Sequence, residues 1–487
     1  MIDRLAFDNE LYIKIQSEHI LERIKKFDNK LYLEFGGKMF DDYHASRVLP
    51  GFKPDAKIKS ILELKNKTEF LIVANAKDIQ TNKIRSDIGI TYENEVLRLI
   101  KQFKSFGLKN GSIVISRYDG QANVNAFITK LQNMGHKVYK HYKIDGYPFD
   151  VDYVLSEEGF GKNEYVETTK PLILVTAPGP GSGKMATCLS QLYNELKHGV
   201  KAGYAKYETF PIWNLPLKHP VNLAYEAATA DLDDLNMIDP FHLEAYNELA
   251  TSYNRDIDVF PILKTIFERI YGYSPYLSPT DMGVNMVGNC IIDNESAIEA
   301  ANHEIIRRYL DAKVKNKLGK FSSNAVSKIQ VIMKHLELDV NMRLCVQAAK
   351  EKEEKAKVPA MAIELRDGTI VTGKESKLLS APAACIINAL KHYAFINKKM
   401  PLLLPSLLNP ITELKEILKS EHKYLNVDDV LIVLSVSATT NPLALSALDQ
   451  LPNLKYTQGH STRMLSYADE QALKKLSIDL TTEDFIE

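Results

Sequence analysis

Pro171-Leu172-Ile173-Leu174-Val175-Thr176-Ala177-Pro178-Gly179-Pro180-Gly181-Ser182-Gly183-Lys184-Met185 is the stretch on which the fold turns. Up to Ala177 it is a continuous apolar run with β-branched Ile173, Val175 and Thr176, the pattern of a strand buried on both faces. A glycine-rich loop follows, then the helix-forming Ala186 to Leu196. Strand, glycine loop with lysine, and helix is the context in which backbone N–H groups turn onto an anion. The helix N-terminus adds positive potential and the lysine a full charge. Gly179, Gly181, Ser182, Gly183 and Lys184 are therefore the expected phosphate-binding residues, with Lys184 also the first catalytic candidate.

The match to GxxxxGK[ST] departs in two places. Pro178 holds the first glycine position, and Met185 replaces the hydroxyl residue that normally holds Mg²⁺. Thr187 is no substitute, because two helical residues turn it about 200° away. No apolar strand ending in a magnesium-binding Asp follows.

Outward from this core, Phe70 to Asn75, Ser112 to Ser116 and Lys137 to Tyr139 read as further strands. Between them, Thr91 to Phe106 carries Val96, Leu99, Ile100 and Phe103 at helical spacing, and Asn123 to Asn133 forms a second helix. Buried strands alternating with helices predict a mostly parallel sheet in an α/β fold. From Val221 to Glu354 long amphipathic patterns take over, as in Asn294 to Leu318. After Pro359 strands return: Asp367-Gly368 joins Met361–Leu365 to Thr369–Thr372 as a hairpin. Ser380 to Phe395 and Asp469 to Leu476 read as helices, and Val430 to Ser435 as a buried strand. The expected organisation is an α/β domain over residues 1–220, a largely helical region over 221–356 and a second α/β domain over 357–487.

The 487 residues carry 61 Lys+Arg against 62 Asp+Glu, a net charge of -1 that speaks against a nucleic-acid partner. No apolar run reaches the roughly 18 residues a membrane helix needs. The acids among Met1 to Asp8 do not suit a signal peptide, and four dispersed cysteines suit neither a disulfide scaffold nor a zinc site. A cytoplasmic protein without a membrane partner is expected, and the oligomeric state, a homo-oligomer included, is left open.

Other polar loops supply secondary candidates. Gly36-Gly37-Lys38 offers glycines and the cation Lys38 early in the chain. Arg117 and Asp119 lie just past a strand's C-terminal end, where open α/β sheets place ligands. Asp231 and Asp234, at three-residue spacing, would share a helix face and are the metal candidates. Asp281 sits in a dense polar loop and is a further catalytic candidate. His460, Ser461 and Arg463 combine imidazole, hydroxyl and cation as an anion pocket would. Trp213 reads as core or interface, Cys188 as buried packing, and His303-Glu304-Ile305-Ile306-Arg307 lacks the second His of a zinc protease helix.

Glu34 to Phe52, the 177–185 loop, Pro211-Ile212-Trp213-Asn214-Leu215-Pro216 and Asp281 to Met286 together carry a resemblance. Along essentially its whole length the chain resembles a bacterial family described only as a domain of unknown function (the 1846 type). That resemblance implies a bacterial cytoplasmic α/β protein and supplies no catalytic residue. Two functional readings follow from the residues. One is an enzyme that binds a nucleotide or phosphorylated metabolite with Mg²⁺ and transfers a phosphoryl group. Lys184 would offset transition-state charge, Arg117 or Arg463 would clamp, and Asp281 or the 231–239 acids would hold the metal. The other is a phosphoanion sensor or assembly protein without turnover. Between them stands an enzyme of other chemistry that grips an anionic substrate.

Overall fold

A computed structural model describes residues 5–85, 89–108, 110–420 and 423–485. The chain divides into two compact units. One combines Leu5–Tyr225 with Asp234–Ile298; the other takes Glu226–Asp233 and the chain from Glu299 onward. The helical stretch over 221–356 is thus shared between them.

The first unit is built on a seven-stranded sheet: β1 (Leu31–Phe35), β2 (Thr68–Asn75), β3 (Gly111–Tyr118), β4 (Lys137–Tyr142), β5 (Leu172–Thr176), β6 (Gly203–Tyr207) and β7 (Gly283–Val284). The spatial order is β7-β6-β1-β5-β2-β3-β4, and every pairing is parallel. All eight residues of β2 and all five of β5 are buried, which is why they carry the apolar runs Phe70–Ala74 and Leu172–Val175. Leu33, Ile72, Val114 and Leu174 are among the residues at 0% exposure that form its core. Helix α1 (Tyr92–Ser105) starts at Thr91, whose hydroxyl accepts from Asn94 N–H, and buries Val96, Leu99, Ile100 and Phe103 as the spacing predicts. Helix α2 (Lys184–Lys197) follows the glycine loop directly.

The second unit has a four-stranded sheet: β8 (Ala360–Glu364), β9 (Ile370–Lys374), β10 (Gln458–Ser461) and β11 (Asp479–Thr482), in the order β9-β8-β10-β11. β8 and β9 pair antiparallel as the hairpin reading expects. Helices α3 (Ala381–Tyr393) and α4 (Val427–Ser437) pack with it. The second of these corrects the sequence reading, which took Val430 to Ser435 for a strand. A capping box decides the matter. Asn426 Oδ1 accepts from Asp429 N–H at 2.9 Å, and Asp429 Oδ2 accepts from Asn426 N–H at 3.0 Å. The helix then buries Val427, Val430, Val433 and Leu434 while Ile432 stays 62% exposed. Because the outer face is apolar too, the helical period was invisible in the residue types. All four cysteines are reduced and fully buried. No helix among the described residues is long and apolar enough to cross a membrane.

Candidate functional site

In the first unit β1 and β5 are neighbours, but the chain leaves them in opposite directions, from β1 towards β2 and from β5 towards β6. Neighbouring strands whose connections run in opposite directions mark a topological switch point, where open α/β sheets place a ligand crevice outside the C-terminal strand ends. The loop after β1 carries Gly36, Gly37 and Lys38; the loop after β5 is Pro178–Gly183. Both of the glycine segments read from the sequence therefore leave the same crevice.

The 178–183 loop is fixed from behind. Two of its carbonyls are tied to the sheet: Gly181 O accepts from Asn75 Nδ2 at 3.2 Å and Ser182 O from Ser116 Oγ at 2.7 Å, while Gly179 O accepts from Ser182 Oγ at 2.7 Å within the loop. Gly181 and Gly183 take left-handed backbone, with φ of 72° and 88°, which favours glycine. A Cβ at Gly179 would collide with the Tyr92 hydroxyl, and one at Gly183 would lie 3.1 Å from Ser116 Oγ. Gly183 is the N-cap of α2 and no side chain caps that end. Among the described residues no protein acceptor meets the N–H groups of Gly181, Gly183, Lys184 or Met185. With these carbonyls engaged and amides unclaimed, the loop presents donors to the crevice.

Beneath the loop lies a network of charges. Lys184 Nζ is 3.8 Å from Glu34 Oε1, and Glu34 Oε2 accepts from the Tyr204 hydroxyl at 2.8 Å. Glu34 is paired in register with Lys206 on β6. Lys206 is ion-paired with Asp256 and lies 3.8 Å from Glu208 just past the strand. Burial disfavours charge on Lys206, but Asp256, Glu208 and Glu34 outweigh it and hold its ammonium above the ordinary lysine range. Burial pushes Glu208 up to about 8; Asp256 and Glu34 push the same way and Lys206 opposes them. The Glu208 side chain is still 23% exposed, so a ligand can reach it. Tyr147 faces the same group of charges: burial, then Glu34 and Cys188, raise its hydroxyl, while Arg117 lowers it. This is a set of proton carriers around one crevice, with one carboxyl that holds its proton near neutral pH.

The remaining sequence candidates are distributed as follows. Lys38 is exposed at the end of the β1 loop. Arg117 is exposed in the outer part of β3 with a left-handed φ of 52°. Asp281 accepts from the Tyr246 hydroxyl at 2.8 Å and from Leu277 N–H at 2.9 Å, so it orders its own loop. Residues 231–234 form a turn rather than a helix, so Asp231 and Asp234 share no helix face. Asp231 is exposed, and Asp234 is buried against Arg255 at 2.6 Å. Among the described residues no group of three or more His, Cys, Asp and Glu is arranged to hold a metal ion. His460, Ser461 and Arg463 belong to the second unit. His460 Nδ1 is 2.9 Å from Thr481 Oγ1, and Arg463 pairs with Glu353 at 2.8 Å. Trp213 Nε1 donates to Asn285 O at 3.0 Å, a packing role. Sequence reasoning missed Glu34, Lys206, Glu208 and Asp256. A signal was available for the first two, each a lone charge inside an otherwise apolar or aromatic strand.

Two family models match the chain end to end: domain of unknown function DUF1846, N-terminal, over residues 5–337, and domain of unknown function DUF1846, C-terminal, over residues 341–486. The chain is similar to the UPF0371 proteins of Streptococcus pneumoniae strains JJA and CGSP14. In each case 52% of residues are identical over 481 positions, covering 99% of this chain and 97% of the relative.

Proposed function

The chain belongs to the DUF1846 family of bacterial proteins, and from its own residues we propose that the β1–β5 crevice binds a phosphoanion, a nucleotide or a phosphorylated metabolite. The observation that carries this reading is the loop's polarity: two carbonyls tied to the sheet by Asn75 and Ser116, a third engaged within the loop by Ser182, and unclaimed amides at the uncapped start of α2. Lys184 supplies the full positive charge, and an arriving phosphate oxygen competes with Glu34 for it at a pair distance of 3.8 Å.

A second reading adds phosphoryl transfer. Glu208 favours it, because a carboxyl that holds its proton near neutral pH is suited to donate it to the departing oxygen. Met185, in the place of a magnesium-binding hydroxyl, favours binding without turnover.

The test is thermal unfolding of the full chain against ATP, sugar phosphates and inorganic phosphate, with and without Mg²⁺. A ligand at 100 times its Kd stabilises by about 2.7 kcal/mol. Wild type is expected to shift, and Lys184→Ala to lose most of the shift. Equal shifts in both proteins, or none in either, sink the reading. Product formation in the presence of Mg²⁺ separates the transferase from the binding protein.

A further inference from the structure

The second unit holds a cavity of about 260 Å³ between the start of β9 and the end of α3, walled by Ile370, Val371, Asn388, Lys391, Phe395 and Lys398. Lys391 is only 8% exposed. Its ammonium donates to the Lys398 carbonyl at 2.9 Å, and among the described residues it has no carboxylate within ion-pairing distance. Burial pulls its amine below the ordinary lysine range, with no counter-charge to offset it. An ammonium has three donors, so two remain after the Lys398 bond. Lys398 is exposed at the rim and has no carboxylate partner among the described residues either. Asp367, the acid beside His392, is already engaged: it accepts from Thr369 N–H at 2.9 Å and lies 2.9 Å from His392 Nε2. The C-terminal dipole of α3 supports the buried charge but amounts to about half a counter-charge at most.

Phe395 stands 97% exposed at the same cavity, on left-handed backbone with φ of 55°. The end of α3 accounts for that backbone, since Ile396 N–H donates to Lys391 O at 2.8 Å, but it does not account for a phenyl ring left in water. A bond to one carbonyl does not account for Lys391 either, since a neutral amide donor would staple the 394–398 turn without a buried charge. Cation at the bottom, aliphatic wall, ring at the mouth: we propose that this cavity is a receptor for a small carboxylate with a flat apolar body, its carboxylate on Lys391 and its ring against Phe395. The volume, below the ~300 Å³ at which ordinary ligand clefts begin, suits a molecule the size of benzoate.

The experiment is fluorine NMR of para-fluorobenzoate, with para-fluorobenzamide as the neutral isostere, titrated with the full-length protein. Saturable shift and broadening are expected for the acid and not for the amide. Lys391→Gln should weaken binding at least about tenfold. Phe395→Ala alters a side chain in solvent, keeps the fold and should weaken it about threefold. Lys184→Ala should change nothing, which separates this cavity from the crevice of the first unit. Equal binding of acid and amide, or an unchanged affinity in folded Lys391→Gln, overturns the proposal. If Lys391→Gln does not fold, an unchanged affinity in Phe395→Ala overturns it, and so does the absence of saturable binding to wild type.

Discussion

At Gly183 the backbone has φ of 88°, and an added methyl would press on Ser116 Oγ. Gly183→Ala should therefore cost about 1–3 kcal/mol of stability and abolish phosphate protection, both visible in one melting series. Glu208 gives a different prediction. Its folded pKa of about 8 lies above the reference 4.5. Over that window the unfolded chain has shed a proton that the folded chain keeps. The contribution of Glu208 to stability is thus complete below pH 4.5 and is lost as pH climbs through 8. The groups facing it are Lys206 on β6, Glu34 on β1, Asp256, and the hydroxyls of Tyr225 and Tyr253. Glu208→Gln should flatten the fall in melting temperature between about pH 5 and about pH 9. Parallel curves for the two proteins would show that Glu208 holds no proton there.

At the scale of elements, β2, β3 and β5 were legible from their apolar stretches Phe70–Ala74, Ile113–Ile115 and Leu172–Val175, and β4 from Val138 and Tyr139 despite Lys137, Lys140 and His141. β1, with Glu34 in Leu31–Phe35, and β6, with Lys206 in Gly203–Tyr207, were not. In β1 and β6 the charges of the candidate site fall inside strands of only five residues, so the same residues hid both the strands and part of that site. β7 is too short to leave a trace in residue types. The glycine loop was legible because its chemistry is local; Glu208 was not, because its proton affinity arises first from burial in the fold and then from Asp256 and Glu34, far away in the chain. The reverse error, at α4, came from a helix apolar on both faces. Its capping box should carry that helix: Asn426→Ala should cost about 1 kcal/mol in denaturant unfolding. An unchanged midpoint would mean that packing of Val430 and Leu434 alone fixes it.

For the molecule as a whole, each unit contains a histidine held neutral by its surroundings. Burial lowers His141 in the first unit to about 4, against an opposing bond to Glu164 O. Burial, then the charge of Arg343, lowers His303 in the second unit to about 4. Depressed folded values mean that this stability is present above the reference 6.5 and is lost as pH falls through 4. Both units should therefore lose melting temperature on acidification from pH 6.5, and His141→Gln should blunt the loss in the first unit alone. Tryptophan fluorescence reads that unit, since Trp213 lies in it. The buried thiols offer a finer instrument. Cys188 sits on α2 directly behind the glycine loop, and burial, assisted by Glu34 and opposed by Lys184, keeps it protonated. Alkylating reagents attack the thiolate of an accessible sulfur, so Cys188 becomes modifiable only in the moments when α2 swings open. Its alkylation rate is a clock for that opening. A phosphoanion seated on the loop should slow the clock at Cys188 and leave Cys385, in the second unit, ticking at its own pace.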